Sequence, residues 1–164
     1  MTKEIPRILA INPGTKYFGY AVFHGSDLRD WGIKTLAGKW SKEKIEKAKQ
    51  IIKNWIDRYG SSILAIKRLH PSRRSENLEK LVIQIKELAR RKGMKIYQYS
   101  INEVKNFFSP ERKINKKQLA EILTSKHQSL FYELKSAKSH RNQYRIRMFE
   151  AVALGSICFH QLDK

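Results

Sequence analysis

Arg7-Ile-Leu-Ala-Ile-Asn-Pro-Gly-Thr-Lys-Tyr-Phe-Gly-Tyr-Ala-Val-Phe23 decides how the chain is read. Ile8 to Ile11 is an unbroken apolar run, the pattern of a strand buried on both faces. Asn12-Pro13-Gly14-Thr15 interrupts it, because proline removes a backbone donor and glycine permits a turn. Tyr17 to Phe23 resumes as a second strand, so the two predict a hairpin. Asn12 thus sits where a buried strand surfaces, a common place for a binding or catalytic group in a sheet of this kind.

Outward from the hairpin, Asp27 to Leu36 reads as a third strand. Ser41 caps a helix to Tyr59, with Ile45, Ala48, Ile52, Trp55 and Ile56 on its stripe and Gly60 at its end. Ile63 to Leu69 is a second buried strand, followed by a basic loop, His70 to Arg74. Ser75 caps the next helix, which closes at Arg90 to Gly93. Lys95 to Tyr99 is a short strand, and Asn102 to Phe108 makes one or two helical turns. Gln118 to Leu134 reads as one helix, Ser136 to Gln143 as a polar linker, and Tyr144 to Gln161 as the last helix. A hairpin-led trio of strands followed by α-β units predicts an α/β fold, a mixed five-stranded sheet with helices on both faces. The whole of 1–164 is expected to form one domain.

Lysine and arginine number 34 against 15 acidic residues, a net charge of +19. So large an excess favours a polyanionic partner, with nucleic acid the default. No segment is apolar over the ~18 residues of a membrane span. The N-terminus carries no signal-peptide core, and a cytoplasmic location is expected. Cys158 is the one cysteine, in an apolar helical setting that marks a core residue. No Cys/His spacing suggests zinc.

Strand alternation puts Ile8, Ala10 and Asn12 on one face and Ile63, Ala65 and Lys67 on one face. If the two strands are parallel neighbours, Asn12 and Lys67 meet. Arg147 and Glu150 lie three apart on the last helix, hence on one side. Ala151, Gly155 and Cys158 share much of that side, and their small size would let the helix lie close to the sheet.

Ile11 to Val22 resembles the first motif of the RuvC-type Holliday junction resolvases, of the RNase H-like superfamily. Leu64-Ala-Ile-Lys-Arg-Leu69 resembles their second motif and Met148-Phe-Glu-Ala-Val-Ala-Leu-Gly155 their last, and the element order matches over nearly the whole chain. The resemblance implies an RNase H-like fold and phosphodiester hydrolysis by two Mg²⁺ about 4 Å apart. Such ions need oxygen ligands and several carboxylates. The family supplies an Asp from the first strand, a Glu from the fourth, and two acidic or metal-binding residues three apart on the last helix.

This chain departs from that pattern at each position. Asn12 stands for the Asp, Lys67 for the Glu, Arg147 for the first helical ligand and Glu150 for the second. At ~4 Å and an effective dielectric near ~20, like charges repel by about 4 kcal/mol. The expectation is therefore that no catalytic set is intact, that no cofactor is bound, and that Mg²⁺ enters only if the chain is still an active nuclease. Lys67 and Arg147 could instead neutralise a phosphate. The plainer readings are that Lys67 snorkels out of the strand end and that Arg147 pairs with Glu150.

The expected function is recognition of branched or duplex DNA without cleavage. The alternatives are an active metal-dependent junction endonuclease and a structural RNA-binding component of a larger assembly. Candidate nucleic-acid contacts are Lys16, Lys67, Arg68, Arg73, Arg74, Arg112, Lys113, Lys116, Lys117, Arg141, Arg145 and Arg147. Lys113, Lys116 and Lys117 read equally well as a solvated helix start. Leu69 and His70 stand where the family places an aromatic side chain. Phe107 and Phe108 read as core residues more than as stacking platforms. The resemblance also implies a homodimer through the helix after His70.

Overall fold

The structure, a computed structural model, describes residues 4–73, 75–140 and 143–162, with the side chains of 73, 136–140 and 143–144 outside the description. Strands β1 (Arg7–Asn12), β2 (Tyr17–His24) and β3 (Asp27–Thr35) form an antiparallel meander. Strand β4 (Ile63–Lys67) pairs with β1 in parallel, Ile8 opposite Ile63 and Ile11 opposite Ile66. Strand β5 (Lys95–Tyr99) pairs in parallel with β4, giving the sheet order β3-β2-β1-β4-β5. The expected mixed five-stranded sheet is therefore present. Its central strands are the two continuous apolar runs, as burial on both faces requires.

Alternation along those strands feeds two cores. Leu9, Ile11, Leu64 and Ile66 face helices α1 (Lys42–Tyr59) and α2 (Glu76–Arg91). Ser41 and Ser75 cap these helices as read from sequence, each accepting a hydrogen bond from a backbone N–H three residues on. Ile8, Ala10, Ile63 and Ala65 face the opposite core, where Val104 of α3 (Ile101–Phe108), Leu119 of α4 (Lys116–Lys126) and the long α6 (Gln143–Leu162) pack. The small residues of α6 do bring it close. A Cβ on Gly155 would lie 2.3 Å from the Phe23 ring.

Three sequence readings are corrected. The helix expected over 118–134 breaks at His127, whose backbone is extended at φ −130° and ψ 90°. A turn of 3₁₀ helix follows at Gln128–Leu130, and α5 runs over Phe131–His140. Spacing alone could not separate these, because the break still delivers Leu130 to the same core as Leu123. It does so by its own bonds, His127 N–H to Leu123 O and Leu130 N–H to His127 O. The linker expected over 136–143 is helical at all its described positions, 136–140 in α5 and Gln143 in α6. Its composition is polar, but it holds no glycine or proline to stop a helix. Of the Phe107–Phe108 pair, Phe108 packs against the core while Phe107 is exposed.

Among the described residues, no helix is long and apolar enough to cross a membrane.

Candidate functional site

The parallel register of β1 and β4 carries Asn12 and Lys67 to the same end of the sheet, one residue beyond the Ile11–Ile66 pair. Helix α6 crosses that end and supplies Arg147 and Glu150. The four positions singled out from the sequence therefore meet, and they line one cavity of about 490 Å³.

Glu150 is its centre, with a side chain only 3% exposed. The Asn12 amide donates to Glu150 Oε2 at 2.6 Å and to the Arg147 carbonyl at 3.2 Å. The reverse amide orientation would set two acceptors face to face, so the hydrogen-bond network dictates this one. Lys67 Nζ donates to the same Oε2 at 3.1 Å. Lys116, the first residue of α4, brings its ammonium to 3.1 Å from Oε1.

Burial pushes the Glu150 carboxyl up, but the Lys67 and Lys116 ammoniums outweigh it and hold the group below the usual glutamate range. Lys67 is held below the usual lysine range, because burial outweighs the support of Glu150.

Arg147 does not pair with Glu150, which corrects one sequence reading. Its guanidinium lies over the Tyr17 ring, 4.9 Å from the centroid, and Nη1 donates to Pro13 O at 3.3 Å. The space it uses is left by Gly14, where a Cβ would come within 2.5 Å of Nη1. Lys67 does not snorkel free either. Its side chain is 22% exposed and tied to Glu150.

The remaining predicted contacts are dispersed. Arg68 turns to the sheet edge, where Nη1 bonds Glu103 at 2.8 Å. Arg145 pairs with Glu133 of α5. Arg112 and Lys113 line a separate hollow beside Asn102 and Lys105. Lys16 and Lys117 are exposed. Arg74 and Arg141 lie outside the described residues, as does the side chain of Arg73. Lys116, which reads from sequence as part of a surface cluster, and Tyr17, which no sequence pattern marks, both belong to this cavity. The cation–ring contact joins side chains 130 positions apart, and nothing in local spacing announces it.

A family model described as crossover junction endodeoxyribonuclease RuvC matches residues 8–133. The chain belongs to the RuvC family. A search of curated proteins finds no match. Solved structures agree on the fold, which is RNase H-like. Thermus thermophilus RuvC in complex with Holliday junction substrate is 15% identical at a TM-score of 0.73, with 96% of each chain covered. The yeast mitochondrial Holliday junction resolvase Ydc2 is 12% identical at 0.70, covering 97% of this chain and 80% of that one. The Fowlpox virus resolvase with its substrate Holliday junction is 17% identical at 0.61, covering 96% and 99%.

The donor set of this RuvC-family chain does not suit a pair of dications. Glu150 is the only acidic side chain lining the cavity among the described residues, and ammoniums stand at both of its oxygens. Among the described residues, no three His, Cys, Asp or Glu side chains converge as metal ligands would. Hard dications need several anionic oxygens, and here they would have to displace two cations to reach one.

Proposed function

We propose that this RuvC-family protein binds branched or duplex DNA and does not cleave it. One observation carries the reading. The lone carboxylate of the site is neutralised by Lys67 and Lys116 and held by the Asn12 amide, and among the described residues only His70 adds another metal-ligating side chain of the His, Cys, Asp or Glu type to the lining, too few for a pair of dications. On this reading the chain carries out no metal-dependent hydrolysis, and Mg²⁺ is not its cofactor. The net charge of +19 supplies the attraction for a polyanion. Membership of the RuvC family favours DNA, and the two relatives solved with Holliday junctions favour a branched form. A homodimer through α2 belongs to the same proposal. Ile83 stands 53% exposed on that helix, and sedimentation of the free protein measures the assembly.

The test is an electrophoretic comparison of a four-way junction, its duplex arms and a folded RNA, with and without Mg²⁺ or Mn²⁺. The expected result is retarded junction or duplex with no product strands under any metal condition. Junction cleavage that Glu150→Ala abolishes would overturn the non-cleaving reading. Tighter binding to folded RNA than to every DNA would overturn the choice of DNA.

A further inference from the structure

We infer that the cavity where β1, β4, α4 and α6 meet is a phosphodiester-binding site, with Lys67, Lys116 and Arg147 gripping one backbone phosphate of a nucleic acid. This rests on the nucleic-acid-binding reading above and assigns the cations their task.

Three cations from three separate elements line one cavity of about 490 Å³ against a single acid, leaving two positive charges uncompensated. Glu150 does not cancel their use. An ammonium carries three N–H donors and a guanidinium five. Lys67 directs one to Glu150, and Arg147 directs one to Pro13. Exposure ranks the groups in the order an anion would meet them. The Lys116 and Lys67 side chains are 40% and 22% exposed, while Glu150 is 3% exposed. An incoming phosphate therefore reaches ammonium before carboxylate.

Glu150 acts as an internal counter-ion. It holds two ammoniums at one point that would otherwise repel. The Tyr17 ring and the space above Gly14 hold the guanidinium in place. Such preorganisation lowers the ordering cost of capturing an anion.

The test titrates isotope-labelled full-length protein with inorganic phosphate and, separately, with dimethyl phosphate, following the amides of Gly14 and Lys67 by NMR. Both probes are expected to give saturable shifts there, weakened at least tenfold by Lys67→Gln and by Lys116→Gln. Should Lys67→Gln fail to fold, Lys116→Gln decides alone. Its position is at a helix start capped independently by Asn115. Added duplex or junction should displace the probes, and Lys116→Gln should lower the salt slope of nucleic-acid binding by about 1.

Nucleic-acid binding without any saturable shift at the cavity would overturn this inference and leave the function above intact. Phosphate binding that nucleic acid does not displace would make the cavity a free-anion site and equally overturn it. Failure of the protein to bind any nucleic acid would sink both.

Discussion

Gly19 lies against the main chain of Arg147 so closely that a Cβ on Gly19 would stand 2.3 Å from the Arg147 carbonyl oxygen and 2.6 Å from its carbon. Strand β2 and helix α6 touch here through backbone alone. The contact is one residue pair from the site, since Gly19 is also the cross-strand partner of Asn12. The Arg147 carbonyl in turn accepts from the Asn12 amide. The missing side chain at Gly19 thus sets the height of α6 over the sheet, and with it the reach from Glu150 to Asn12.

Gly19→Ala should therefore disturb the site without touching a charged group. Backbone cannot rotate away as a side chain can, so α6 must lift. Overpacking of this kind costs about 1–3 kcal/mol. The expected result is a lower denaturant midpoint at unchanged slope, together with altered amide shifts at Asn12 and Glu150. A variant as stable as the parent, with those shifts unmoved, would show that strand and helix leave room for a methyl group at Gly19.

Glu150 should make the protein acid-sensitive. Its folded pKa lies below its unfolded value, so its stabilising contribution is complete above the ordinary glutamate pKa of about 4.3 and fades as pH falls through the folded value. Glu150→Gln leaves the half-buried Lys67 without its counter-charge, a loss of about 2–3 kcal/mol at neutral pH. Denaturant melts of both proteins at descending pH should show that gap closing in the acid range. Lys67 acts at the other end. Its folded pKa is depressed, so stability should rise as pH climbs through that value. A gap between parent and variant that stays constant with pH would mean Glu150 is not ionised in the fold.

The site was largely legible because it rests on strand periodicity. Two apolar runs demanded central, adjacent strands, and alternation then fixed Asn12 and Lys67 to one face. The i, i+3 spacing of Arg147 and Glu150 fixed the helix side. Lys116 escaped because its place depends on where α4 begins over the sheet end, a matter of tertiary packing that its polar neighbours do not encode. The break at His127 escaped for a related reason. Apolar spacing reads the same for one helix as for two when Leu130 reaches the same core either way.

Cys158 should be chemically silent in the folded protein. It is fully buried, and burial pushes its thiol up to about 11. The thiolate is the reactive form. A disulfide-exchange reagent at neutral pH should label native protein at least roughly a hundredfold more slowly than protein in denaturant, since reaction waits for opening. Prompt stoichiometric labelling of native protein would contradict the placement of Cys158 in the core.

Placing carboxylates at the four positions where the family resemblance implies metal ligands should create a metal site. Asn12→Asp, Lys67→Glu, Arg147→Asp and Glu150→Asp, combined in one protein, would set four carboxylates where the present cavity has one. Their mutual repulsion should destabilise the metal-free variant, and bound cations should relieve it. Ligands that bind only the folded state raise its stability by mass action, so the melting temperature of the variant should climb with Mn²⁺ or Mg²⁺ while the parent's does not. Paired ions about 3.5–4 Å apart are the arrangement that supports in-line phosphodiester hydrolysis, and junction cleavage by the metal-loaded variant is the expected second readout. Lys116 stays in place and still carries a positive charge near the site, so metal affinity should rise further when Lys116→Gln is added. A folded variant whose melting temperature ignores both metals would show that the scaffold does not hold the geometry of a metal site, whatever residues are placed on it.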